Sequence, residues 1–249
     1  MALPIRRVML SLERRVARLA DAIVCVSTRD RRDLARLVAA EPFGRAHVVP
    51  AAFDGALFDP AQAAPPAPEV AHRILVLGRI SHQKNIPLAV AVMEALIRTG
   101  EPYRLTIAGR GEGSKDLIRL IRLIAGSPAA TAIRWLGAVP HDDVPALLRE
   151  HGILLLTSRY EASPTVVKEA LRAMRPVVST DVGDVADWLE PGRTGFVCGS
   201  APEALADGVQ AATALIRERR YRVSSHMDRL DESRLMNEVI TLYRQLAAR

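Results

Sequence analysis

Aromatic residues are scarce in this 249-residue sequence: four Phe, two Trp and four Tyr. They are not interleaved with basic residues in the way that stacks bases, so the sequence points to no nucleic-acid partner. Cysteine is almost absent. Cys25 and Cys198 stand alone with no Cys-x-x-Cys, which argues against a disulfide framework or a zinc knuckle and for a reducing compartment. No apolar run approaches the roughly 20 residues of a spanning helix, Ile153 to Leu156 being typical of the longest clusters. Met1 to Leu12, broken by Arg6 and Arg7, lacks the apolar centre of a secretory leader. Six histidines (His47, His72, His82, His141, His151 and His226) show no His-Glu-x-x-His or other paired spacing, so no metal site is expected. No Ser-His-Asp arrangement is readable either.

Lysine is rare as well: 34 basic residues against 28 acidic ones give a net charge of +6, yet only Lys84, Lys115 and Lys168 are lysines. Nine arginines against four acids in the first 36 residues make a basic front. It suits either a solvated helix face or contact with anionic lipid or an acidic partner.

Apolar content of 49% and charged content of 25% describe an ordinary globular chain, long enough for one large or two ordinary domains. From Arg73 onward, short apolar runs begin near Ile74, Leu105, Ile133, Ile153, Val177 and Phe196. Helical patterns fill the gaps at Pro87–Arg98, Lys115–Ala125, Val144–Glu150, Pro164–Met174 and Val185–Leu189. This alternation predicts an α/β fold, a Rossmann-like doubly wound parallel sheet covered on both faces. The front reads as helix Val8–Ala20, strand Ala22–Val26, helix Arg31–Ala39 and strand Ala46–Pro50. That is a fragment of a second α/β domain, too small to enclose its own core. A Pro/Ala-rich stretch, Pro60 to Pro68, reads as a linker. Ser233–Ala248 reads as a helix with Leu235, Val239, Leu242 and Leu246 in one stripe. The expected divisions are therefore 1–58, a linker at 59–72, a main domain at 73–225 and a closing helical segment at 226–249.

Two stretches carry chemistry. Leu75-Val-Leu-Gly78-Arg79 through Lys84-Asn85 places two cations after a strand, where ligands sit in open α/β sheets. Arginine offers a planar fork to phosphate and lysine a mobile point charge. Alone, such a loop reads equally well as solvated. In Ser158-Arg-Tyr-Glu161-Ala-Ser163-Pro164, Ser163 has the character of an N-cap and Pro164 of a first helical residue. The helix start would favour an anion. Val166, Val167, Ala170, Leu171 and Met174 form its expected buried side. Glu161 in the loop and Glu169 in the helix could be plain solvated charges. Converging with the cations, they describe a site for a diphosphate joined to rings with vicinal hydroxyls, a nucleotide-sugar.

The sequence resembles the retaining GT-B glycosyltransferases of the group-4 type over about residues 15 to 200. The stretches that carry the resemblance are Gly78-Arg79 with Lys84, the Glu161/Glu169 pair, Pro176-Val-Val-Ser-Thr-Asp-Val-Gly183 and Gly192-Arg-Thr-Gly195-Phe-Val. It implies a glycosyltransferase drawing on a UDP- or GDP-sugar as donor, without a further cofactor. The acceptor would be a glycan, a lipid-linked molecule or a small molecule. Arg79, Lys84 and Glu161 would carry catalysis, the cations on the diphosphate and Glu161 near the reacting sugar. Glu169 would hold the ribose, and the Ala162–Thr165 backbone (Ala162, Ser163, Pro164, Thr165) would approach sugar and phosphate. Gly78, Gly109 and Gly111 would line the crevice, with Val139 near the base; His82 could touch the ligand. The segment from Glu13 to Ser27 and Val48 to Phe58 would be the end of an acceptor domain, onto which the last helix crosses back. The expected location is the cytoplasm, with the basic front touching the inner membrane face.

Three positions depart from the family pattern: Ala51-Ala52 replaces Asn-Gly before Asp54, Ala162 follows the first glutamate, and Met174 replaces a helix-ending glycine. They bear on hinge geometry and sugar placement. The resemblance also enters part-way through the acceptor domain. A truncated chain is therefore expected, binding nucleotide but transferring sugar poorly alone. The alternatives are a non-catalytic nucleotide-binding or assembly subunit needing a separate acceptor-domain chain, and a related epimerase or phosphorylase.

Overall fold

The computed structural model describes residues 3–38, 45–55, 57–58, 63–226, 229 and 232–248. The chain divides into two compact units, Met1–Ala52 with Leu230–Arg249, and Phe53–Arg229. Ala39 at the expected end of the second helix, residues 59–62 of the expected linker and the Arg6 side chain lie outside the described residues.

The larger unit is built on six parallel strands: β3 (Arg73–Leu77), β4 (Arg104–Ala108), β5 (Ile133–Gly137), β6 (Ile153–Leu156), β7 (Val177–Thr180) and β8 (Gly195–Cys198). Their spatial order is β5-β4-β3-β6-β7-β8. The chain runs outward from β3 through β5, then returns to the other side of β3 and continues through β8. The order reverses between β3 and β6, and the loops leaving those two strands diverge to open a crevice. Each of the six apolar runs read from the sequence forms one of these strands. All four β6 residues are buried, as a strand covered on both faces requires, whereas the edge strand β5 alternates.

Helices α3 (Ile86–Ile97), α4 (Lys115–Ala125) and α8 (Pro202–Arg217) pack on the face bearing Ile74, Val76, Leu105, Ile107, Ile153, Leu155 and Val178. The register Leu75–Leu154–Val177 belongs to the opposite face, where α6 (Thr165–Arg172) lies over β6 and β7. Short helices α5 (Val144–Arg149) and α7 (Val185–Trp188) complete the connections.

The smaller unit contains α1 (Leu3–Leu19), β1 (Ile23–Cys25), α2 (Thr28–Val38), β2 (Ala46–Val48) and α9 (Glu232–Ala247). β1 and β2 pair in parallel. Ser27 caps α2 by accepting from the Asp30 N–H at 2.9 Å. The basic front is partly consumed by helix ends. Arg14 Nε donates to the Leu37 carbonyl at 2.7 Å and Arg18 to that of Val38 at 3.4 Å, while Arg45 donates to that of Ala20 at 2.8 Å. On α9, Leu235 is buried and Val239, Leu242 and Leu246 are half-buried, the stripe read from the sequence.

Helix α6 ends in a Schellman turn. The Arg175 N–H bonds to the Ala170 carbonyl at 2.7 Å and that of Met174 to Leu171 at 3.0 Å. Met174 sits at the turn's left-handed position, with φ +57°. A residue with a Cβ is disfavoured there by about 1–2 kcal/mol, and glycine gives back about 0.4–1 kcal/mol through its looser unfolded chain. Met174→Gly is expected to stabilise the fold by up to about 1 kcal/mol, a Tm rise of about 2–4 °C. Met174→Ala should show no such gain in the same melting experiment.

Candidate functional site

Close backbone contact shapes the floor of the crevice. Gly109, just past β4 at φ +149°, is so near Gly78 that a Cβ would lie 1.9 Å from the Gly78 carbonyl oxygen. No other residue type fits that contact. Gly78 in turn leaves room for the Lys84 stem, whose Cε would be 3.2 Å from a Cβ at Gly78. The lysine therefore folds back over the strand end.

Its ammonium meets the loop that leaves β6. Lys84 Nζ donates to Glu161 Oε1 at 2.6 Å, the side chains being 20% and 9% exposed. Ser158 Oγ donates to the same oxygen at 2.7 Å, and Gln83 Nε2 to Oε2 at 3.2 Å. Backbone bonds add to the join: Arg159 N–H to the Gln83 carbonyl at 2.8 Å, and Thr157 Oγ1 to the Lys84 carbonyl at 3.1 Å. The two diverging loops of the strand-order reversal are thus tied together by one charged contact and a ring of neutral ones. Charge-assisted bonds of this kind are roughly twice as strong as neutral ones.

Glu169, the fifth residue of α6, is 7% exposed. Burial pushes its carboxyl above the usual value of 4.5, opposed by His141, a Thr165 hydrogen bond and Lys84. Lys84, Glu161 and Glu169 therefore belong to one electrostatic neighbourhood. His141 joins it from beyond β5, on a turn where its ring also packs edge-on to Phe58 at 6.5 Å. No pattern in the chain singles out His141, which reaches the neighbourhood of Glu169 through the loop and turn that follow β5.

Arg79 is exposed and makes no side-chain bond among the described residues, so its guanidinium is available at the mouth. His82 is also exposed. Val139 follows β5 at the same end of the sheet and is half-buried. Gly111 is buried against Ile80, where a Cβ would fall 2.6 Å from Cγ1, and its N–H donates to Glu112 at 3.0 Å. Ala162 is exposed, Thr165 half-buried and Pro164 buried.

One expectation needs correction. Ser163 does not cap α6, which begins at Thr165 with Pro164 in the cap position and no side-chain cap bond. The Ser163 hydroxyl is taken by a deeper network. It donates to Asp184 Oδ2 at 2.6 Å and accepts from Lys168 Nζ at 2.5 Å. Lys168 is fully buried, 3.5 Å from Asp184 Oδ2 and 5.1 Å from the Trp188 ring centroid. Burial pulls its ammonium below the ordinary value, and Asp184 opposes that shift. Gly183, at φ +55°, completes the clamp: a Cβ would lie 2.6 Å from the Ala162 carbonyl oxygen. The loop carrying Glu161 is thereby held from below by the turn after β7. Helical spacing places Lys168 opposite the expected buried side. Asp184, sixteen residues on, is the signal that pairs with it, visible only once β7 is laid beside β6.

Residues 58–224 match the family described as Glycosyl transferases group 1. Glycogen synthase of Mycobacterium tuberculosis is 30% identical over 163 residues, 62% of this chain and 39% of that enzyme. The alpha-D-kanosaminyltransferase of Streptomyces kanamyceticus is 30% identical over 124 residues, 50% of this chain and 31% of the enzyme. The chain thus spans under half the length of these relatives. Among solved structures, sucrose-phosphate synthase from Thermosynechococcus elongatus superposes with a TM-score of 0.79 at 20% identity, over 97% of this chain and 62% of that one. HepE from Anabaena, solved with UDP-glucose, gives 0.68 at 16% identity, over 94% and 67%. These likenesses establish a GT-B type Rossmann-like fold.

The buried charges make two effects measurable. Lys168→Met leaves Asp184 buried without its cation and is expected to cost about 3–5 kcal/mol in urea unfolding, whereas Lys168→Met with Asp184→Leu should recover most of it. For Glu169, the raised folded value means that the folded state binds more protons between the unfolded and folded values, so its contribution to stability falls as pH rises through that window. Glu169→Gln should match the wild type below the ordinary carboxylate value and become the more stable protein above it, measured by denaturation against pH.

Proposed function

This chain belongs to the group 1 glycosyl transferases, and on that footing we propose that it binds a nucleoside-diphosphate sugar and serves its transfer with retention of configuration. The donor is of the UDP- or GDP-sugar kind and the acceptor a glycan, a lipid-linked molecule or a small molecule. The observation that supports this most is the Lys84–Glu161 contact at the strand-order reversal, with Glu169 in the same field and Arg79 unengaged at the mouth.

Chemically, breaking the anomeric bond leaves positive charge on the sugar and negative charge on the departing diphosphate. Arg79 and Lys84 neutralise the leaving group, assisted by the first N–H groups of α6. Glu161 stays beside Lys84, so its carboxylate orients that ammonium while its own free lone pairs face the sugar. Glu169 accepts from the ribose hydroxyls and does so as a carboxylate. Its burial in the free protein is a cost that the hydrogen bonds of a bound ribose offset. Glu169→Gln should therefore weaken nucleotide binding even while it stabilises the fold. The Lys168–Ser163–Asp184 network fixes the height of the loop that presents Ala162 to the sugar.

The acceptor side is proposed to involve chain beyond the two-stranded smaller unit. Helix α1 exposes Val8, Met9, Leu12, Val16 and Leu19, an apolar stripe that an acceptor-side half would cover. No described helix is long and apolar enough to cross a membrane. Contact with an anionic lipid surface would fall to exposed Arg7 and Arg15, since Arg14 is engaged with α2.

The test is calorimetry with UDP, GDP and ADP, followed by transfer assays with an acceptor-domain chain added. Charge-assisted bonds of roughly 1.5–3 kcal/mol convert to losses of roughly 10–150-fold at about 1.36 kcal/mol per tenfold. Arg79→Ala should lose that much in transfer while melting normally, and Lys84→Ala should lose at least as much and also melt lower, because it strips Glu161 of its cation. Wild-type rates in either would remove that residue from the mechanism, and no nucleoside diphosphate binding would end the proposal.

A further inference from the structure

A second cavity, of about 430 Å³, opens at the amino ends of the strands. Its walls include Arg73, Arg104, Arg134, Thr106, Thr131 and His151. Arg73 and Arg104 are the first residues of β3 and β4 and stand directly opposite in register, and Thr106 stands opposite Arg134 of β5. Alternation along each strand therefore puts all three guanidiniums on one face of the sheet. Neighbouring strands lie about 4.7–4.9 Å apart, so like charges in register repel.

Among the described residues of the wall, only Glu150 offsets this charge. Arg73 donates to the Glu150 backbone carbonyl at 3.5 Å and Arg104 to that of Tyr103 at 2.9 Å. None of the three arginines is in an ion pair among the described residues, and Glu150 is the one acid among the described residues of the wall. Behind them burial holds the His151 imidazole below its ordinary value, opposed by its hydrogen bond to the Leu147 carbonyl and by Glu150, with Arg134 and Arg73 as smaller contributions in the direction of burial. A fold that holds three cations on adjacent strands around a hollow, with two threonine hydroxyls beside them, carries a repulsion that a bound anion would relieve.

We propose that this cavity is an anion site for a phosphate-bearing ligand, a phosphomonoester or diphosphate gripped by Arg73, Arg104 and Arg134. The guanidinium forks match phosphate oxygens in pairs. The site is separate from the donor crevice. Arg73 and Arg104 begin the strands whose far ends lead to Gly78 and Gly109, five residues on, about 16 Å at 3.3 Å per residue. It goes beyond the glycosyl-transfer reading and does not rest on it. The phosphate could be that of a soluble effector or of a lipid headgroup.

The experiment titrates the full chain carrying Arg79→Ala/Lys84→Ala, whose donor crevice no longer competes for the probe, with and without added Arg104→Gln/Arg134→Gln, with pyrophosphate, and measures capture by phosphatidic acid vesicles. The Arg79/Lys84 variant should still bind, and adding the Arg104/Arg134 pair of changes should weaken that binding at least tenfold. Without ligand, the Arg104→Gln/Arg134→Gln protein should melt no lower than the wild type, because repulsion has been removed. Pyrophosphate binding without vesicle capture assigns a soluble ligand; vesicle capture lost in the Arg104/Arg134 variant, without pyrophosphate binding, assigns a headgroup. In the Arg79→Ala/Lys84→Ala background, pyrophosphate binding undiminished by the Arg104/Arg134 changes, vesicle capture without pyrophosphate binding that those changes leave undiminished, or no binding to either probe overturns the proposal.

Discussion

The crevice depends on a single charged contact, Lys84 to Glu161, made where the sheet reverses its strand order. The loops after β3 and β6 leave the sheet in different directions and are joined at their backbones by the Arg159 N–H bond to the Gln83 carbonyl. The ion pair closes them at one point, and the surrounding bonds from Ser158, Gln83 and Thr157 leave its members little freedom. Because the pair is mostly withdrawn from water, its strength is less diluted by salt than that of an exposed pair. The same contact keeps Lys84 away from other anions until a ligand offers better-placed oxygens. A lysine can then share its three hydrogens between the carboxylate and the newcomer.

The structure separates polar groups that serve the ligand from those that serve the loop beneath it. Lys84 lies part-buried in the crevice, where its charge remains usable, and Glu169 is buried within its field. Lys168 and Asp184 lie deeper and are joined through the half-buried Ser163 hydroxyl, with Lys168 also over the Trp188 ring. Helix α6 consequently has no solvated face for most of its length: Val167 and Ala170 meet the sheet, while Lys168 and Glu169 are also enclosed. A helix of eight residues so surrounded draws its stability from its neighbours rather than from its own propensity.

The sheet is legible in the chain because each strand is a short run of β-branched or leucine-rich residues, and the run at Ile153 to Leu156 could be buried only in a covered parallel sheet. The cations and glutamates are legible through their places after strands. Lys168 is not, because periodicity assigns a helix one wet side and cannot foresee that the turn after β7 covers it. Ser163 misleads for a related reason: a serine before a proline looks like a cap, and only the arrival of Asp184 redirects its hydroxyl. Met174 is legible as a departure from pattern, and the left-handed backbone there shows what glycine would supply. His141 and the three arginines at the amino ends of the strands become meaningful only when register puts distant residues side by side.

The linked trio of Ser163, Lys168 and Asp184, the last two of them buried, also constrains how this sequence can drift. Changing one member strands the other two in a place water does not reach, so the first step of any exchange is penalised even when the finished exchange is harmless. Lineages crossing between a charged and an apolar version of this layer would have to pass through a weakened intermediate or alter two codons nearly together. The three positions should therefore be inherited as a block, and grafting the Glu161 loop into another scaffold without its partner at position 184 would import the liability and leave the support behind.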